Sequence, residues 1–368
     1  MLTFNAKRRA LLVAAAGTAL PAQSLPAKKL VFPRDFGSHP DFRTEWWYVT
    51  GHAKSADKTA DKSGDREFGF QVTFFRSRVA GTEAMKSKFA AKQLLFAHAA
   101  VTDVQGKKLL HDQRIMREGF DVALASSTDT RVQIKDWSLV RGNSGRQGES
   151  ANAYTANLAG EGFKIALKFV PTQPVLLQGD DGLSRKGPEE KQASFYYSEP
   201  QLATSGAITL AGVDFPIKGT AWLDHEWSQE LLHPQAVGWD WIGMNLFDGS
   251  SVMAFQVRDK DGKAIWDGGA FRTAKNQRFR FLKGEVVFSR QKSWKSPTSQ
   301  ATYPVEWIVR TPADFYTVKA VIPNQELDSR ASTGAIYWEG LSDLFDSNGN
   351  HVGRGYLEMT GYARALNI

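Results

Sequence analysis

Apolar and polar residues alternate with a period of two through most of this chain. In "REFGFQVTFFRSRV" (66–79), Phe68, Phe70, Val72 and Phe74 fall on one face, and Gly69, Gln71 and Thr73 on the other. That is the pattern of a strand with two unlike faces. "FKIALKFVP" (163–171), "VMAFQVRDKDGK" (252–263) and "FRFLKGEVVFS" (279–289) read the same way. The Asp-Gly pair in "RDKDGK" marks a hairpin between its strand and the next apolar run. The long helix-period stretches of an α/β enzyme are missing, so the pattern predicts an all-β protein. Three segments break the alternation: a polar hairpin tip (53–67), a flexible turn (141–153) and a longer excursion (176–198).

The strands recur as a set. "EWWYVTG" from Glu45 resembles "GWDWIGM" from Gly238, and "FGFQVTF" from Phe68 shares Phe-Gln-Val with "MAFQVRD" from Met253. The strongest pair is "GTAWLDH" (219–225) with "GRGYLEM" (353–359), which keeps Gly, an aromatic, Leu and an acid in step. Two related β-units follow, at 36–227 and 228–368, the first lengthened by insertions. If the first and last strands of each unit pair, each closes into a small antiparallel barrel able to hold one small ligand. The rings of Trp46, Trp47 and Tyr48 then become the floor or wall of an apolar cavity.

Composition sharpens this. The 368 residues include 11 Trp and 23 Phe, a load suited to packed β-structure or an apolar pocket, and no Cys. Disulfides, thiolate metal sites and cysteine nucleophiles are therefore excluded. Lys7, Arg8 and Arg9 precede an apolar run (10–20) and small residues at Ala22 and Ala27, the order of a signal peptide over 1–27. The run is too short to span a membrane. The Arg8-Arg9 pair suits twin-arginine export as well as general secretion. The expected location is the periplasm or the outside of the cell. Of 46 basic residues, three fall in 1–27, leaving 43 against 39 acidic ones, interspersed. No basic stripe marks a nucleic-acid partner.

"GTAWLDHEW" (219–227) is the most suggestive segment for chemistry. In an extended chain Trp222, Asp224 and Glu226 share one face, and Leu223, His225 and Trp227 the other. An acid flanked by tryptophans is either pinned structurally at a strand end or buried in an apolar pocket. Burial there would raise its pKa and make it a proton donor. Asp224 and His225 look like an acid–base pair, yet adjacent strand residues point apart unless the strand bulges. His-x-x-x-His spacing is absent, so no metal or other cofactor is expected. His39, His52, His111 and His351 read as surface or satisfied core groups. His98 interrupts an apolar run and needs a buried partner. Glu339 and Glu358 repeat the pairing of an acid with aromatics, as echoes of the duplication, and Arg76 and Arg258 are candidate cross-strand partners for them. There is no Gly-x-Ser-x-Gly elbow, P-loop or dinucleotide fingerprint.

Taken in order, "HPDFRTEWWYVTGH", "FGFQVTFFR", "LQGDDGLSRKG", "ASFYYS", "GTAWLDHEW" and "GWDWIGMNLFDGS" resemble the bacterial carotenoid 1,2-hydratase (hydroxyneurosporene synthase) superfamily. The closer likeness is to its exported lipocalin-like branch of predicted secreted hydrolases and attachment-associated proteins. The resemblance implies two consecutive lipocalin-like antiparallel β-barrels. In the hydratases an acid protonates a terminal C=C bond and water captures the tertiary cation. Asp224 matches that acid and His225 the adjoining histidine, while Trp222 stands where the hydratases carry tyrosine. The expected function is binding of an apolar lipid or isoprenoid-like ligand, with hydration or hydrolysis assisted by Asp224 and His225. The pocket residues would be Glu45, Trp46, Trp47, Tyr48, His98, Trp222, Trp227, Trp239 and Trp241. The alternative is a non-catalytic periplasmic lipid carrier or an accessory to a membrane transporter.

Overall fold

A computed structural model describes residues 25, 28–55, 66–142 and 151–366. The expected signal sequence lies outside these residues except at Leu25, as do the tips of the first two polar segments. Nearly everything described is antiparallel β-structure, as the alternation predicts. No helix among the described residues is long and apolar enough to cross a membrane.

Two large sheets follow one another. In the first, the opening strand Thr44–Ser55 lies between Glu67–Arg78 and the closing strand Val213–Glu230. Gln93–Asp103 and Lys108–Arg117 extend one side, and Ala193–Leu210, Phe163–Val170 and Tyr154–Gly160 lead along the other. The sheet rolls up almost completely. Arg114 of Lys108–Arg117 donates to the Ile134 carbonyl (3.4 Å) and lies over the Trp137 ring (4.4 Å), bridging the open edges. In the second sheet Gly238–Leu246 lies between Ser251–Arg258 and His351–Met359, with Ala264–Arg272 and Ala335–Phe345 outside them. The repeated order is the internal duplication, and in both units the first and last strands pair.

Pairing also fixes which residues correspond. Tyr48 sits opposite Asp224, and Trp241 opposite Glu358, so the opening and closing motifs align as the sequence suggested. The Phe-Gln-Val match does not. Gly51 pairs with Phe70 and Met244 with Val252, which makes Val252, not Phe255, the counterpart of Phe70. The displacement is three residues, an odd number, so faces are exchanged. Phe70 packs inside the first barrel, whereas Phe255 packs between the barrels. Two further expectations are corrected. Residues 279–289 are not one strand but two, Arg278–Phe281 and Val287–Arg290. They are separated by a turn in which Gly284 adopts a φ of +88° and donates to the Asp267 carboxylate (2.8 Å). The 176–198 excursion is partly sheet, with Leu176–Leu177 and Leu183–Arg185 paired to Ala193–Leu210.

Alternation gives each barrel an inner face and an outer one. Trp47, Val49, Phe68, Phe70, Leu223 and Trp227 fill the first core; Ile242, Met244, Val252, Trp307 and Leu357 fill the second. The outer faces around the opening strands are apolar too, and they pack on each other through Tyr48, Tyr196, Trp222, Trp241, Phe255 and Tyr356. Hydrogen bonds cross this seam from Gln71 to Glu339 (2.7 Å), Thr102 to Gln325 (2.9 Å) and Asn245 to the Ala221 carbonyl (3.1 Å). Gly69 permits the approach: a Cβ there would stand 2.7 Å from Tyr356 Oη and 3.0 Å from Leu341 Cβ.

Candidate active site between the barrels

The closing strand of the first barrel alternates without a bulge at Asp224. Trp222, Asp224 and Glu226 therefore face the seam, and Leu223, His225 and Trp227 the first core. A cavity of about 440 Å³ opens along the seam, within the range of small-molecule sites. Trp46, Tyr48, Phe75, Trp239, Trp241 and Phe255 supply its aromatic walls.

Asp224 is 4% exposed and borders this cavity. Trp222 Nε1 (2.7 Å) and Ser198 Oγ (2.5 Å) donate to Oδ1, and Tyr196 Oη (2.7 Å) donates to Oδ2. Trp241 Nε1 of the second barrel donates in turn to Tyr196 Oη (3.2 Å), so both units hold the acid. Burial raises its pKa to about 7; the three donors oppose the rise and nearby Glu226 adds to it. A carboxyl near pH 7 can give and recover a proton under ordinary conditions. Lys186, carried by the 176–198 excursion, pairs with Glu226 (3.1 Å) and lies over the rings of Tyr196 (4.6 Å) and Phe255 (4.3 Å).

The second barrel contributes acids of its own. Glu339 and Glu358 sit directly across from each other on neighbouring strands and border the same cavity. Burial pushes Glu358 up to about 8, against a hydrogen bond from Trp239 and with added repulsion from Asp224 and Glu226. Burial and the adjacent Glu358 raise Glu339 well above the carboxylate range. Glu358 occupies the position in the second unit that Asp224 holds in the first, so the duplication brings two acids with raised pKa to one cavity. The cavity position of Glu339 and Glu358 goes beyond a structural echo of the duplication, and Arg76 and Arg258 are not their partners. The arginines instead bind Glu45 (2.8 Å) and Asp240 (3.2 Å). Glu339 follows Trp338 and Glu358 lies two residues beyond Tyr356; only the docking of the barrels shows where they face.

The expected pocket residues divide into two groups. Trp46, Tyr48, Trp239, Trp241 and His98 border the cavity, and Trp222 lies behind Asp224. His98 bonds Tyr337 Oη (2.7 Å) and Ser332 Oγ (2.9 Å) across the seam, and burial lowers its pKa to about 3. Trp47, Trp227 and His225 belong to the first barrel's interior, with Trp47 stacked on His225 at 4.6 Å. Asp224 and His225 thus face opposite sides of one strand. His225 Nε2 bonds Glu45 (3.0 Å), and Nδ1 bonds Tyr197 Oη (3.0 Å); burial lowers its pKa to about 4 despite the carboxylate, which leaves the ring neutral.

His39, Glu45 and His225 gather within metal-binding reach of one another. They are joined directly by hydrogen bonds of 2.7 and 3.0 Å to Glu45 Oε1, and Arg76 Nε (2.8 Å) and Ser38 Oγ (2.9 Å) take Oε2. The guanidinium already supplies the cation. Burial would raise Glu45, but bonds from His225 and His39 hold it well below the usual carboxylate range. This cluster clamps the chain before the opening strand to the barrel. Glu45 also touches the cavity rim.

A model of the AttH-like family matches residues 23–362. The crystal structure of a protein assigned to AttH from Nitrosomonas europaea is similar at 44% identity and a TM-score of 0.82, covering 92% of this chain and 99% of that one. Kievitone hydratase from Nectria haematococca shares the fold at 13% identity and a TM-score of 0.68, over 91% of this chain and 94% of that one. CghA, solved with Sch210972, aligns at 10% identity and a TM-score of 0.51, over 91% and 97%. No curated protein matches the sequence directly.

Proposed function

This chain belongs to the AttH-like family, and from that premise we propose that it binds an apolar, unsaturated ligand of lipid or isoprenoid type between its barrels and adds water to it. The observation that carries this reading is the Asp224 carboxyl, buried at the cavity wall, held by Trp222, Ser198 and Tyr196, and raised to about 7. Water addition is also what the name of one fold neighbour describes.

In the proposed step the Asp224 O–H bond breaks and its proton forms a new C–H bond at one carbon of the ligand's C=C bond. The second carbon becomes a cation, which the faces of Trp46, Trp239 and Trp241 stabilise. Water attacks that carbon, and the proton it loses returns to the Asp224 carboxylate. The net change is addition of H₂O, and the acid is restored. Asp224 bears the proton transfer alone, since His225 lies behind the strand.

The reading includes export under the direction of residues 1–27, with the chain acting in the periplasm or outside the cell. The test is organic extraction of the purified mature protein followed by mass spectrometry, beside an Asp224→Asn variant. Hydrated product from wild type and unmodified ligand from the variant supports the enzyme. The same unaltered lipid in both overturns catalysis and leaves a carrier, the form in which a membrane transporter is the expected partner.

A further inference from the structure

Large apolar residues stand exposed on two turns of the first barrel and on the strand between them. Met85 and Phe89 belong to the turn after Glu67–Arg78, Ile115 to Lys108–Arg117, and Phe120 and Val122 to the turn that follows it. Phe89 is 73% exposed and Phe120 52%, and their rings stack on each other at 5.6 Å. Phe120 takes a φ of +59°, flanked by positive φ at Gly119 and Asp121, a conformation that bulky side chains seldom adopt. Exposed apolar patches of this kind mark interaction surfaces.

Strand register ties the patch to the cavity. Trp46 stands opposite Phe75, Phe75 opposite Phe96, and Phe96 opposite Ile115. The first three border the cavity and Ile115 is 44% exposed, so one apolar row leads from the chamber to the surface. The next row on the same face runs Thr44, Ser77, Leu94 and Arg117. At its far end the Arg117 guanidinium lies over the rings of Phe89 (5.4 Å) and Phe120 (4.4 Å).

Charge selects the partner. From 78 to 92 the chain carries Arg78, Lys86, Lys88 and Lys92 against Glu83 alone, and the three lysines are exposed. The second turn sets Arg117 against Glu118 and Asp121, and Glu118 accepts from the Ala125 N–H (3.3 Å). Arg117 Nη1 has no hydrogen-bond partner among the described residues. Phenyl rings among cations suit the interface of a membrane with anionic headgroups.

We infer that the turns 79–92 and 118–122 dock this protein on an anionic phospholipid bilayer. The rings of Phe89 and Phe120 enter the acyl boundary, while Lys86, Lys88, Lys92 and Arg117 meet headgroup phosphates. Docking in this way turns the end of the cavity bordered by Phe96 and Ser77 toward the membrane, where an apolar ligand of the proposed kind is dissolved. That use rests on the proposed function; the docking surface does not.

The test is co-sedimentation of the mature chain with vesicles of equal parts phosphatidylcholine and phosphatidylglycerol, beside vesicles of phosphatidylcholine alone. Wild type is expected to prefer the anionic vesicles and to lose that preference in high salt. Phe89→Ser and Phe120→Ser are each expected to weaken binding about tenfold. Lys86→Gln, Lys88→Gln and Lys92→Gln are expected to weaken it about fivefold each. In vesicle-free solution all of them should bind the neutral fluorophore N-phenyl-1-naphthylamine as wild type does, which reports that fold and cavity are intact. Wild type that ignores anionic vesicles, or binding that survives the Phe89→Ser, Phe120→Ser double variant, overturns the docking surface. So does a wild-type dimer in vesicle-free solution that this double variant dissociates, because the rings then cover a second copy. If wild type binds anionic vesicles but not the fluorophore, the cavity reading fails and the docking surface stands.

Discussion

The perturbed acid at Asp224 makes a prediction that needs no knowledge of the ligand. In an unfolded chain its carboxyl ionises near its ordinary value of 3.8; in the folded protein burial delays this to about 7. Between those values the native state holds a proton that the unfolded state has lost, so stability falls as pH rises. The favourable contribution is complete below about pH 4 and gone once pH passes the folded value. From pH 5 to pH 8 the folded carboxyl forfeits roughly two pH units of this difference, about 3 kcal/mol at 1.36 kcal/mol per unit. Asp224→Asn is nearly isosteric and does not titrate, so it escapes that loss. Urea unfolding of wild type and variant, followed by tryptophan fluorescence at pH 5 and pH 8, isolates the effect in the difference between proteins. Other titrating groups largely cancel there. The exception is Glu358, whose pKa Asp224 helps to raise, and its relaxation in the variant acts in the same direction. The variant is expected to gain on wild type by about 3 kcal/mol between the two pH values, a relative midpoint shift on the order of 1 M. A wild-type-minus-variant difference that is flat with pH would refute the claim that Asp224 is a raised, buried acid.

Other consequences follow from the same geometry. Arg76→Met leaves Glu45 charged without its guanidinium at a site where Arg76 is 1% exposed, and should cost about 3–5 kcal/mol in urea unfolding; a loss under 1 kcal/mol would show that the histidines suffice. His225→Gln should lower stability through lost bonds to Glu45 and Tyr197, yet leave N-phenyl-1-naphthylamine affinity within twofold, because the ring lies inside the first barrel. A tenfold change in affinity would place His225 at the cavity after all. Gly69→Val inserts atoms where Tyr356 and Leu341 already stand, and should cost about 1–3 kcal/mol and weaken fluorophore binding by spreading the barrels. Unchanged binding and midpoint would mean that the seam tolerates wider spacing.

How far the sequence reaches depends on which interactions are local. Strand alternation is local, so it separates Asp224 from His225 and groups Trp222 with Asp224 and Glu226. The repeated opening and closing motifs likewise determined the all-β class and the duplicated units, because each barrel must pair its first and last strands to bury an apolar face. Three shared letters could not determine register: Phe-Gln-Val recurs three residues out of step, and only the ladders to Gly51 and Met244 reveal it. Nor could alternation say what each outer face meets. The tryptophan cluster was expected inside a barrel, but one face of it, Trp47, fills the first core while Trp46 and Tyr48 line a chamber between barrels. Glu339 and Glu358 join Asp224 there across more than a hundred residues of chain. That assembly belongs to tertiary structure alone, because it arises when two apolar outer faces, each complete as a strand pattern, exclude water by packing on one another.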